Sequence, residues 1–191
     1  MSRFTLPLLA WLVLSLGGCA TQPPASTLPQ AWLKPGVQVK LPSPLLEKPV
    51  SQQQLLTATV KGKQQSLLVL LNADGKSLQL AGLSPLGIRL FKVVYDQQGI
   101  HTEQAIKIDG LPPANQVLAD IMLSYWPVER WQPLLPAGWR LDDQPLRRTL
   151  RDNHGATITR IDYLPKGAIR QPVSITQQAF HYQITIQNVG G

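Results

Sequence analysis

The chain has 191 residues, carries 18 Lys and Arg against 11 Asp and Glu for a formal charge of +7, and contains a single cysteine. That length suits one ordinary domain, and one cysteine excludes a disulfide framework or a multi-cysteine zinc site. Aromatic residues make up only 6% of the chain, yet five of them are Trp, with three between positions 126 and 139.

The first element is an apolar stretch, residues 4–16, behind a cationic start at Arg3 and closed by Leu16-Gly17-Gly18-Cys19. About 13 residues at roughly 1.5 Å each fall well short of a ~30 Å hydrocarbon core. The stretch therefore reads as a cleaved address and not as a membrane span. It resembles a bacterial lipoprotein signal, which implies removal of residues 1–18, a diacylglycerol on the Cys19 sulfur and a chain such as palmitate on the freed amine. Several chains at ~0.8 kcal/mol per buried methylene make such an anchor effectively permanent. Ala20, where an Asp would signal retention at the inner membrane, implies the outer membrane, facing the periplasm. Removing 18 of the 191 residues, among them Arg3 as the only charged side chain, leaves 173 with a charge of +6. A tethered basic protein is drawn toward anionic lipid or envelope polymers, and the compartment excludes nucleic acid as a partner.

Pro23, Pro24, Pro29, Pro35, Pro42, Pro44 and Pro49 interrupt every helix that residues 20–50 could form. The segment up to about residue 28 reads as an extended tether, the lipidated Pro-rich tether being set at 19–35 and a single domain at 36–191. Strands begin at residue 53. One over 53–61 leads through Lys61-Gly62-Lys63 to an apolar strand over 65–72, and Asp74-Gly75 marks a two-residue hairpin with both residues at positive φ. Further strands follow over 77–83, 88–95 and from 100 to about 108, separated by Ser84-Pro85-Leu86-Gly87 and Asp96-Gln97-Gln98-Gly99. This is an antiparallel meander.

A helix follows, started by Pro112-Pro113-Ala114 with Asn115 as cap, and Val117, Leu118, Ile121, Met122 and Tyr125 give it one apolar face. Pro127 ends it, and a second helix over 128–135 places Val128, Trp131 and Leu135 on one side. Strands resume over 139–142, 146–151, 157–163, 173–178 and 182–187. The fold class is mainly β with a helical insertion, about five strands on either side of it in one sheet system.

The chain offers poor material for catalysis, and neither an enzyme nor a cofactor or metal site is expected. His101, His154 and His181 share no ligand spacing, His154 falling in a turn and the other two in strands. Asp142 and Asp143 are neighbours on a strand, so they point to opposite faces. Asp74 and Asp96 read as turn formers. Arg140, Arg147, Arg148, Arg151 and Arg160 crowd one stretch, either as a solvated outer face or as a cationic stripe.

Signal, meander, helical insertion and return strands together resemble the LolB and LolA group, a periplasmic lipoprotein receptor and its carrier, over residues 53–187. The local likeness lies at Leu83-Ser84-Pro85-Leu86-Gly87, at Trp126-Pro127-Val128 through Trp131 and Leu134-Leu135-Pro136, and at Trp139-Arg140-Leu141-Asp142-Asp143. The chain is more similar still to LolB-like lipoproteins encoded beside aryl polyene biosynthesis genes. The resemblance implies an incomplete antiparallel β-barrel whose helices close one mouth over an apolar, acyl-binding cavity. It departs from the receptor where prolines replace a helix ahead of the first strand.

Leu70, Leu78, Leu80, Leu90, Val117, Ile121, Trp126, Trp131, Ile161 and Ile184 are the residues expected to line that cavity. Pro85, Leu86 and Gly87 are expected to form a membrane-insertion loop, with a leucine tucked under its own turn as the alternative. The expected partners are acyl lipid or lipoprotein cargo, outer-membrane lipid and a periplasmic carrier. The competing expectation is an assembly lipoprotein of an envelope complex, its cavity vestigial and filled.

Overall fold

The computed structural model describes residues 29–104, 112–166 and 169–189, apart from the side chain of Ile169. Cys19, Ala20 and the signal lie outside them. The tether assigned to 19–35 overlaps a strand: β1 (Gln30–Lys34) pairs antiparallel with β2 (Val37–Lys40) around a Pro35-Gly36 turn in which Gly36 takes φ +79°. Ala31, Leu33, Val39 and Leu41 are buried, so this hairpin belongs to the core and the domain starts before residue 36.

Ten further strands form one antiparallel sheet. The first meander comprises β3 (Val50–Val60), β4 (Lys63–Ala73), β5 (Leu78–Leu83), β6 (Arg89–Asp96) and β7 (Gly99–Gln104). The second comprises β8 (Arg140–Gln144), β9 (Arg147–Arg151), β10 (Thr157–Lys166), β11 (Ile169–Gln177) and β12 (Tyr182–Asn188). The order is β7-β6-β5-β4-β3-β12-β11-β10-β9-β8, so the first strand of one meander pairs with the last of the other. Edges β7 and β8 do not pair with each other, and the sheet stays open.

The turns follow from local chemistry. Lys61 (φ 48°) and Gly62 (φ 77°) make the two-residue hairpin between β3 and β4. Asp74-Gly75 does not make one, because only Gly75 takes positive φ. There Asp74 Oδ1 accepts from the amides of Lys76 and Ser77 at 3.0 and 2.9 Å, which closes a longer turn. Asp96 accepts from the Gln98 amide in the same manner, at 2.8 Å.

Strand alternation sends one side of every strand inward. Val69, Leu71 and Ala73 of β4, Leu78 and Leu80 of β5, and Phe91, Val93 and Tyr95 of β6 are buried there, opposite Leu150, Ile161, Ile175 and Ile186 of the second meander. This face is covered by α1 (Ala114–Tyr125), α2 (Val128–Trp131), a single 3₁₀ turn (Gln132–Leu134), the β1–β2 hairpin and the strap after it. The strap is fastened by two hydrogen bonds, from Tyr95 Oη to the Pro42 carbonyl and from Trp126 Nε1 to the Ser43 carbonyl, both 2.9 Å. The expected cap of α1 is displaced: Pro113 is the capping residue, and Asn115 lies inside the helix with its Nδ2 donating to the Gln30 carbonyl of β1.

Candidate functional site

The loop between β5 and β6 is built around one serine. The Ser84 hydroxyl accepts from the amides of Leu86 (3.3 Å) and Ile88 (3.2 Å), its carbonyl accepts from the Gly87 amide, and its own amide donates to the Ile88 carbonyl, the last two at 2.9 Å. Gly87 reverses the chain at φ +78°, a region open to glycine without penalty. Leu86 does not fold under its own turn. It projects with 86% of its surface exposed, beside Ile88 at 56%. By the antiparallel order, this loop and the C-terminal end of β7 lie at the same end of the sheet. The N-terminal chain enters beside the start of α1, through the Asn115 to Gln30 bond, and α1 touches β7.

The ten residues expected around a cavity divide into three groups. Leu78, Leu80, Trp126, Trp131 and Ile161 are at most 1% exposed and belong to the core. Leu90, Val117, Ile121 and Ile184 are half-buried and pack against that core. Leu70 is not part of it: 42% exposed, it sits on the outer face, because its neighbours Val69 and Leu71 take the inward positions. An open depression of about 520 Å³ lies elsewhere, at the β3–β4 and β11–β12 turns, lined by residues that include Thr59, Lys61, Gln177, His181 and Tyr182 and none of the ten.

Polar side chains pin α1 to the sheet, a feature missed in the sequence although Gln116, Asp120 and Ser124 stand four residues apart. Tyr182 of β12 donates to Asp120 Oδ2, Tyr163 of β10 donates to the Ser124 carbonyl at 2.9 Å, and Gln54 of β3 donates to Tyr125 Oη at 3.0 Å. Arg148 of β9 closes the C-terminal end, its Nη1 donating to the carbonyls of Leu123 and Trp126, each at 2.7 Å. Burial pushes Asp120 up to about 7 against the opposing Tyr182 hydrogen bond, and burial followed by the Asp120 charge raises Tyr182.

Four of the five arginines form a solvated outer face, paired with carboxylates and so not a bare cationic stripe, while Arg148 points inward. Arg147 and Arg160 meet Asp162 at 2.7 and 3.3 Å, and Arg140 and Arg151 meet Asp142 at 3.1 and 3.2 Å, all on the outer face. Asp143 points inward to Arg148 and Arg170, as strand alternation requires of a neighbour of Asp142. Burial would raise Asp143, but the two guanidinium groups hold it lowered. His154 lies in a turn and His101 in β7, whereas His181 falls in the turn before β12 at φ 57° and not in a strand. No group of three or more His, Cys, Asp or Glu among the described residues could hold a metal ion.

An open ten-stranded antiparallel sheet, roofed by a helical crossover between its two edge strands and carrying a bare leucine on the β5–β6 loop, defines the class of this protein. The model of a family described as proteins of unknown function (DUF3261) matches residues 51–190, and the chain belongs to that family. No curated protein matches it.

Proposed function

We propose that this chain is an outer-membrane lipoprotein, anchored through Cys19, that accepts an acyl lipid or acylated protein and passes it to the membrane without catalysing a reaction. The observation that carries this reading is Leu86, held bare on a hydrogen-bonded loop at one end of the sheet. An exposed apolar side chain on a stiff turn suits contact with hydrocarbon, and the half-barrel resemblance to LolB-like lipoproteins supports acyl cargo, a polyene-acyl lipid among them. The cargo would lie between α1 and the sheet and displace apolar contacts now made by the helix. The resemblance also supports a periplasmic carrier as donor.

Replacing Leu86 by Glu puts a charge where hydrocarbon is meant to be, which is costly even near an interface. Transfer of cargo to vesicles should fall sharply in Leu86→Glu while the thermal midpoint stays within a degree or two of the parent, since surface changes cost about 0.5 kcal/mol or less. Undiminished transfer by that variant refutes the insertion role. A protein purified from cells without lipid, and indifferent to fluorescent fatty acids, speaks against acyl cargo altogether.

The deep burial of Leu78, Leu80, Trp126 and Trp131 favours a second reading, an assembly lipoprotein that recruits an envelope complex through its surface. Side chains packed at native density there would leave no room for cargo. The two readings part on lipid binding.

A further inference from the structure

The side of α1 that meets the sheet is interrupted by a polar row. Gln116, Asp120 and Ser124, four residues apart, lie one above another along the helix, and each is more than nine-tenths buried. Ser124 donates to the Asp120 carbonyl at 2.8 Å, and Tyr182 holds Asp120 Oδ2. Gln116 lies beside the same tyrosine hydroxyl. Yet Gln116 Nε2 and Asp120 Oδ1 are buried without a hydrogen-bond partner among the described residues. Each of these two unpaired atoms weakens the seat of the helix, because an unpaired buried polar group favours the state in which water reaches it.

We propose that the first half of α1 is a proton-sensitive latch: with Asp120 protonated the helix stays seated on β12, and with Asp120 ionised it lifts and opens the apolar interior to an acyl chain. The inference rests on the carrier reading for its purpose. An entering chain replaces the apolar contacts that Leu118 and Met122 give up, so the polar row is the part of the contact that lipid cannot replace.

Tyr182 is the titratable side chain bonded to Asp120. The charged and titratable groups on the other elements around α1 are engaged elsewhere. Lys34 of β1 pairs with Asp152, while His101 and Glu103 of β7 face outward to Asp96 and Arg89. Arg148 and Tyr163 bond the C-terminal end of the helix. Burial is thus the main influence on Asp120, and it raises the carboxyl in the closed state to about 7 from 3.8. A group raised in the closed state stabilises closure below its free value and loses that contribution as pH rises through the closed-state value, here between about pH 4 and 7.

Hydrogen exchange of the full chain, kept lipid-free in amphipol, reads the latch directly. After correction for intrinsic rates, opening of the α1 amides should rise on the order of 100-fold between pH 5 and pH 8, with β4 and β10 amides unchanged. Asp120→Asn should abolish the dependence, and Tyr182→Phe, which keeps the ring but removes the donor that favours the ionised carboxylate, should weaken α1 protection mainly on the alkaline side and steepen the dependence. A pH-independent α1, a dependence retained in Asp120→Asn, or an equal change across β4 and β10 overturns the latch. Lipid uptake is measured separately, so a chain that titrates but takes up no lipid refutes the carrier reading and leaves the latch standing.

Discussion

Glycine 82 shows how one missing side chain shapes the interior. A Cβ built there would stand 2.2 Å from Phe91 Cε1 and 2.5 Å from Cζ, and Phe91 is itself only 4% exposed, so its ring has little room to retreat. Gly82→Ala should cost about 1–3 kcal/mol, the usual range for overpacking, read as a lower urea midpoint at an unchanged slope. Parent-like stability would show that the ring swings aside. Such contacts are invisible in a sequence, and so was the fate of the run Leu67-Leu68-Val69-Leu70-Leu71. Five apolar residues in succession do not declare which parity faces inward. Val69 and Leu71 point in because they align with Gln54 and Gln52 of β3 and with Gly82 and Leu80 of β5, leaving Leu70 outside. Leu86 was open between two fates for a related reason: Pro-Leu-Gly announces a turn but not the direction of its leucine side chain, which the fold leaves 86% exposed.

Among the elements, the hairpins were legible wherever Gly, Asn or Asp marks a turn, and the two helices because apolar residues recur three and four apart before a proline. The β1–β2 hairpin was not, since seven prolines in residues 20–50 suggest an unstructured tether. It forms because Pro35 fits a turn with Gly36, and the strands keep alternation through Ala31, Leu33 and Val39. The docking of α1 was equally hidden. Helical spacing identifies its apolar face, but the partners of its carbonyls come from strands far along the chain. Arg148 is the strongest of these, with a side chain 5% exposed and bonds to Leu123, Trp126 and Asp143. Arg148→Met removes the donors from two buried carbonyls and one partner from Asp143. The expected loss is about 3–5 kcal/mol, the range for breaking a buried ion pair. Arg148→Lys should recover little, because a single ammonium cannot reproduce the planar fork. Both are measured by equilibrium urea unfolding, and a loss below about 1 kcal/mol in Arg148→Met would mean that water replaces the guanidinium.

For the molecule as a whole, the succession of strands and helices was readable, while the pairing between the two meanders was not, because it joins residues too far apart to share a local signal. Gln54 and Asn188, hydrogen-bonded across β3 and β12, are 134 positions apart. Every other pairing in the large sheet is between consecutive strands. That arrangement has a consequence for how the chain assembles. Each meander can form early from short-range contacts, whereas the β3–β12 seam closes a very long loop and must come late, when the entropy cost of closure is met by many contacts at once. In chain order the segment between β7 and β8 joins the two edge strands, far from the β3–β12 seam. A chain divided in that segment should therefore reassemble: fragments 29–104 and 112–191, coexpressed, should copurify one to one, with α1 protected from exchange as in the intact protein. Fragments that stay apart would show that the crossover, by holding the halves at high effective concentration, is what brings the seam together.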